Sequence, residues 1–416
     1  MPQTELLVVT GMPIDGVESV IARLRAADAG IVVVHHDLRH VADGLVRRRV
    51  RDRHTDTWTD IHLAHGCVSC TLREDLLPTL RDLSGRVRRI VLHLDPALEP
   101  EQVCWALDHV LVDDLLLTDL VDLRGVITAV DASTWLADAT GDEPVAERGL
   151  AGLPDDERTV AQVAVGQAEF ADLLVQTGAA TTEDLLRVDA VLERLAPLAV
   201  RSGLAEVEDD ALLLRRTHPL ARRGRPDDVH APLLRGTPPL NPDHGVRLLV
   251  FSARRPFHPD RLHSAFDLLL DGVVRTRGRI WVATRPDDVL WLESAGGGLR
   301  IGQTGEWLAA QDPSAWDEVS EERRALASLG WHPRFGDRAQ DIVVLAHELG
   351  DEGIDTVEAG LRSALLTDAE LAAGEHTWQD LPDPFGFWHE EPCENDSADE
   401  PESAGVSADR AGEEER

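Results

Sequence analysis

The chain has 416 residues, a formal net charge of −35 and four cysteines. That length accommodates two or three domains with a sizeable core, while the acidity excludes nucleic-acid binding through bulk charge and leaves only a local basic patch for such a contact. Four cysteines do not make a disulfide framework at this length, no run of about 18 apolar residues could span a membrane, and every one of the 41 basic residues is arginine.

The N-terminus, MPQTELLVVTG, reads as a first strand and not as a secretory signal, so a cytoplasmic protein without membrane or DNA partners is expected. Residues 5–10 form that strand, and the turn GMPIDG leads into a helix ending near Ala27. Strand, Gly-rich turn and helix is where a phosphate loop sits. Gly11 and Gly16 have the spacing of G-x-x-x-x-G-K-[ST], but Val17 and Glu18 follow, and Pro13 removes a backbone donor. Asp15 and Glu18 add carboxylates near the place of the phosphates. Like charges about 4 Å apart repel by roughly 1 kcal/mol in water and about 4 kcal/mol at an effective dielectric of about 20. Bound GTP and Mg²⁺ are therefore not expected.

Residues 30–36, GIVVVHH, read as a second buried strand. The run LVRRRVRDR follows. If extended, it sets Arg47, Arg49, Arg51 and Arg53 on one face. Such a stripe either clamps phosphates, as of an RNA backbone, or pairs with carboxylates of the same acidic protein. Next comes LAHGCVSCTLREDLLP, in which a Gly-Cys-x-x-Cys knot, Gly66 to Cys70, precedes a helix expected over 72–83. Thr71 reads as its N-cap and Glu74 completes a capping-box pattern. In a reducing compartment such a knot points to metal or redox chemistry.

Strand 89–96, helix 99–117, strand 125–133, a short helix from Trp135, helix 155–167, strand 171–177 and helix 182–196 follow in turn. Short apolar strands alternating with helices predict an α/β domain over 1–200, a parallel sheet covered by helices on both faces. Residues 201–244, rich in Pro, Gly, Arg and Asp, read as a linker, with a small strand at 211–215. Residues 245–388 read as a compact α+β domain of mostly antiparallel strands, with Trp281, Trp291, Trp307 and Trp331 as core or interface anchors. Residues 389–416, which hold Cys393, are acidic and poor in apolar residues, a pattern expected of a disordered tail.

Two stretches resemble the CobW-like P-loop GTPases, a family that includes metal chaperones and metal-insertion proteins. GCVSCTLREDLL is similar to the family's GCxCC-T-LR-DL segment, and RRPFHPDRL, GVVRTRGRIWVATRPD, GDRAQDIVVLAHEL and LLTDAEL together resemble its C-terminal domain. Departures from the pattern are concentrated in the nucleotide motifs. Beyond the phosphate loop, His93 stands in the place of a Glu and Pro96 in that of a Gly, and Gln176 to Ala179 replace the guanine-reading N-K-x-D. One of three thiols is replaced as well, by Ser69. Cys67 and Cys70 then supply two ligands of a zinc site that wants four. His65 and His62 are the nearest candidates to complete it, and the fold could bring in Cys104. The alternative is a turn kept for its shape, its thiols packed as small hydrophobes.

Within the family, VVVHHDLRHVADGLVRRRVR and DASTWLADATGD are similar to an actinobacterial branch, the Mrf-like proteins. That resemblance implies a non-catalytic adaptor that recruits a hibernation factor to ribosomes under zinc limitation. The wider family implies instead a zinc chaperone or zinc sensor, with or without residual GTP binding.

Overall fold

The computed structural model describes residues 3–150, 156–209 and 217–386. The first sheet grows outward from β1 (Thr4–Thr10), whose TELLVVT is buried almost throughout, as a central parallel strand requires. α1 (Ile14–Ala27) crosses to β2 (Ile31–Asp37), and the chain then turns back through β3 (Leu45–Arg51) and β4 (Asp56–His62). A short helix α2 (Val68–Thr71), a π-helical turn (Leu72–Leu76) and α3 (Leu77–Leu83) lead to β5 (Arg89–His93). α4 (Pro100–His109), β6 (Val121–Asp131), α5 (Trp135–Thr140), α6 (Val160–Glu169), β7 (Leu173–Thr177), α7 (Thr182–Leu195) and β8 (Val200–Gly203) complete this part. The strand order is β4-β3-β2-β5-β1-β6-β7-β8, parallel except for the antiparallel β2–β3–β4 edge.

One face of the sheet packs Leu7, Val9, Ile31 and Val33 against Val17, Val20, Ile21 and Leu24 of α1. Leu6, Val8, Val32, Val34 and Leu92 pack on the other face with Leu76, Leu77 and Leu80. A third cluster joins α6 and α7 to Val246, Val274 and Leu345 of the second sheet. That sheet is antiparallel, of order β12-β11-β10-β13-β9, built from β9 (Val246–Ala253), β10 (Val273–Val282), β11 (Arg285–Ala295), β12 (Gly298–Glu306) and β13 (Gln340–His347). Its helices are α8 (Pro259–Ala265), α9 (Ala315–Glu318), α10 (Glu321–Gly330), α11 (Gly350–Ala364), α12 (Asp368–Ala373) and α13 (Glu375–Trp378). The expected α/β architecture with a separate antiparallel domain is the one observed.

Several expected elements differ in detail. Helix 99–117 stops at His109, because the backbone of Val110 is extended (φ −97°, ψ 120°), and Asp113 and Asp114 then turn the chain with φ of 48° and 64°. Strand 89–96 ends at His93, and the loop beyond it is fixed by Asp95, which accepts from the Leu38 and Ala97 amides at 3.0 and 3.1 Å. Trp281 and Trp307 are buried, whereas Trp331 is 44% exposed. The strand at 211–215 and the tail from 389 lie outside the described residues. Among the described residues no helix is long and apolar enough to cross a membrane.

Candidate functional site

Side chains alternate across a strand, so β2 and β3 present different residues to their two faces. On the α1 face, His35 lies opposite Arg49 in the ladder, and Arg47 and Arg51 flank it. Arg51 Nη2 donates to both oxygens of Glu18, at 3.1 and 3.0 Å. Arg49 makes a two-pronged pair with Asp56, at 2.8 and 2.6 Å, and lies 3.9 Å from Glu18. Arg47 reaches Asp60 at 3.3 Å. Arg47 and Arg49 also stand over the Trp58 ring, with guanidinium carbons 4.9 and 5.1 Å from its centroid. The stripe thus comprises Arg47, Arg49 and Arg51, each paired with a carboxylate. Arg53 does not continue it, because β3 ends at Arg51.

Glu18 therefore sits at the centre of a network where a phosphate loop would have Ser or Thr. Gly11 and Gly16 are explained by packing: a Cβ on Gly11 would lie 2.6 Å from the Ala129 carbonyl, and one on Gly16 2.7 Å from Thr177 Oγ1. The turn between β1 and α1 spans only Gly11 to Pro13, and Val17 already donates to Pro13 in a regular helical bond of 3.0 Å. The His93 ring stacks on His35 with centroids 4.3 Å apart, and its Nδ1 lies 3.7 Å from Glu18, beyond hydrogen-bond reach.

The opposite face of the same two strands holds the cysteine knot. His36 Nε2 and Asp75 Oδ2 are 2.7 Å apart, Arg48 donates to Asp75 Oδ1 at 2.7 Å, and Arg48 also reaches Thr79 at 2.8 Å. Asp75 belongs to the π-helical turn, which rotates this carboxylate inward. The helix starts earlier than the sequence suggests. Cys67, not Thr71, is the N-cap, and its Sγ accepts from the Cys70 amide at 3.2 Å. Thr71 is already helical and its hydroxyl donates to the Cys67 carbonyl at 3.1 Å, so the expected capping box with Glu74 does not form. Gly66 is fixed by a close approach, since a Cβ there would lie 2.2 Å from the Val41 carbonyl.

Cys67 and Cys70 form no disulfide and are half-buried. His65 is exposed, and its carbonyl accepts from the Cys67 amide at 3.0 Å. Cys104, on α4, is buried in the core, where burial raises its thiol far above the ordinary range. Among the described residues no group of three or more His, Cys, Asp or Glu is arranged to hold one metal ion. The structure brings the two cysteines to one helical turn and leaves His65 outside any such group.

The arginines pair with carboxylates of the same chain, one of the two readings of the stripe, but sequence reasoning missed β4 and the part played by Glu18. Burial, then His35, Arg51 and Arg49, push His93 down to about 3. The unfolded chain takes up a proton near pH 6.5, so this neutral ring favours the folded state above that pH, and the contribution is lost as pH falls from 6.5 towards 3. In histidine-labelled protein, the resonance assigned to His93 by its loss in His93→Gln should not titrate between pH 8 and 5. A midpoint near 6.5 would contradict the buried, uncharged geometry.

Two family models match the chain: the CobW/HypB/UreG nucleotide-binding domain over residues 18–200 and the cobalamin synthesis protein cobW C-terminal domain over residues 246–365. The zinc chaperone Rv0106 of Mycobacterium tuberculosis is 47% identical over 401 residues, 94% of this chain and 95% of that one. The zinc-regulated GTPase metalloprotein activator 1 of Dictyostelium discoideum is 26% identical over 348 residues, 78% of this chain and 70% of that one. A solved structure, the Zn(II)-bound YjiA GTPase from E. coli, aligns with a TM-score of 0.36 at 14% identity, over 88% of this chain and 100% of that one. As its motifs implied, the chain belongs to the CobW/HypB/UreG family of P-loop GTPase-type proteins and carries the cobW C-terminal domain.

Proposed function

We propose that this protein is a zinc chaperone whose Cys67–Cys70 turn carries zinc as cargo, and that it works without a conventional GTP hydrolysis cycle. One observation carries the reading: two thiols share a helical turn, and no third His, Cys, Asp or Glu is gathered with them among the described residues. Structural zinc sites are closed by four protein ligands. A pair of thiols leaves coordination positions for ligands from outside, which is what delivery to an acceptor requires. Thiolate sulfur is soft and suits zinc over the hard cations Mg²⁺ and Ca²⁺. The relative named as a zinc chaperone, 47% identical over most of both chains, supports the same reading.

The residues at the head of α1 do not fit Mg²⁺-GTP. The chain has no lysine to reach the phosphates, and Pro13 has no amide proton. Glu18 is already held by Arg51, and Gly16 packs directly against Thr177. No step of zinc delivery is therefore assigned to nucleotide. Metal analysis of untagged protein should find about one zinc per chain, absent from the Cys67→Ser/Cys70→Ser variant, with no Mg²⁺-dependent GTP turnover above background. Absence of zinc after reconstitution would remove the chaperone reading. Turnover abolished by Glu18→Ala would restore a GTPase.

A second reading is the Mrf-like adaptor, recruiting a hibernation factor to ribosomes during zinc limitation. It is favoured by the Arg47–Trp58–Arg49 stack at the sheet edge, where Trp58 is 41% exposed, since stacked aromatic and guanidinium groups suit an RNA surface. Arg49 and Arg51 are held by Asp56 and Glu18 and Arg47 only by an exposed 3.3 Å contact with Asp60, so the RNA-backbone contact would fall on Arg47 and Arg53. Charge reversal at Arg47 and Arg53 should then release the protein from ribosomes in gradient sedimentation, and unchanged cosedimentation would eliminate this reading.

A further inference from the structure

The residues between the two cysteines, Val68 and Ser69, line a cleft of about 680 Å³. This volume lies within the range of ligand-binding clefts. Its walls come from the knot helix, from α4 and α6, from residues 226–233, and from β10–β12 of the second sheet. At its floor Arg275 and Arg277 grip Glu169 at 3.0 and 2.5 Å, and Arg275 also reaches Glu293 at 3.2 Å. Arg158 holds Glu99 at 3.0 Å. These pairs balance each other and rigidify the walls.

Glu101 differs from its neighbours. It makes no ion pair or side-chain hydrogen bond among the described residues, although it stands on α4 facing the cleft. The cleft walls surround it while leaving it open to water, and this enclosure raises its carboxyl above the ordinary range against the opposing pull of Arg222. One helical turn along α4, about 5.4 Å away, Trp105 is 49% exposed. His109 stacks on the ring at 4.6 Å with planes only 4° apart, fixing it as a platform. An unpaired carboxylate one turn from an anchored indole matches a basic side chain laid across the ring, its stem on the indole and its cation at the carboxylate.

We propose that this cleft is the docking groove for the zinc acceptor, and that it takes an extended peptide segment through a lysine or arginine seated on Trp105 and Glu101. This rests on the zinc-delivery reading, because the segment would end beside the turn that carries the metal. The groove confers the choice of acceptor, and the knot supplies the cargo. No nucleotide is needed for either.

The test uses the zinc-loaded full chain on a synthetic array of immobilised hexapeptides varied over all residue types. Bound sequences should be enriched at least tenfold in peptides with Lys or Arg over those with Asp or Glu. That preference should be lost in Glu101→Gln and in Trp105→Ala, with zinc content and thermal unfolding unchanged. The variants matter because a chain of charge −35 attracts basic peptides non-specifically. No enrichment, or the same enrichment in both variants, would overturn the groove. Retention of the preference by unmutated protein that takes up no zinc on reconstitution would uphold the groove and defeat the zinc reading alone.

Discussion

The buried carboxylate of Asp75 ties the cysteine knot to the sheet. It is shared between His36 on β2 and Arg48 on β3, at 2.7 Å to each, and the knot helix can move only if those contacts break. Removing one partner of a buried charge pair typically costs about 3–5 kcal/mol, because the other is left without compensation. The neighbouring residues on the same strands, His35 and Arg49, point to the other face and meet the network of Glu18. The period of two along a strand thus divides the labour: even-numbered residues hold the knot, and odd-numbered ones fasten α1. A slip of one residue in β3 would exchange both sets at once.

Such an arrangement places a charged network at the head of α1 in the nucleotide-binding domain. In a phosphate-binding loop the backbone amides, a lysine and a hydroxyl converge on an anion. In this chain Glu18, in the first turns of α1, is held by Arg51. Pairing of the arginine stripe with carboxylates of the same chain was one of the two readings open in the sequence, but nothing local pointed to Glu18 as a partner. In the fold they satisfy one another, which is why an acidic chain tolerates three closely spaced arginines at this edge.

Much of the architecture was legible because buried parallel strands are continuous apolar runs, and the C-terminal strands carry similarly plain patterns. β4 was not legible. DTWTDIH is exposed along nearly its whole length and has no hydrophobic face to announce it; only its ladder with β3 makes it a strand. The knot helix was misplaced because cysteine is not among the usual N-cap residues, whereas Thr71 is a familiar one. Asp75 gave no local sign that a π-helical turn would rotate it inward. Glu101 and Trp105 passed unnoticed because their i, i+4 spacing is ordinary on a helix. Only the cleft formed with the second sheet gives that pair a meaning.

In the proposed chaperone, zinc at this turn is held by two thiols from the protein, with the remaining positions open to exchange. X-ray absorption at the zinc edge of the loaded chain reads this directly. The account predicts two sulfur ligands near 2.3 Å, as for zinc thiolates generally, with the rest of the shell light oxygen scatterers lacking imidazole multiple scattering. Four protein ligands, or a histidine signature that disappears in His65→Ala, would describe a closed structural site and contradict delivery from an open one.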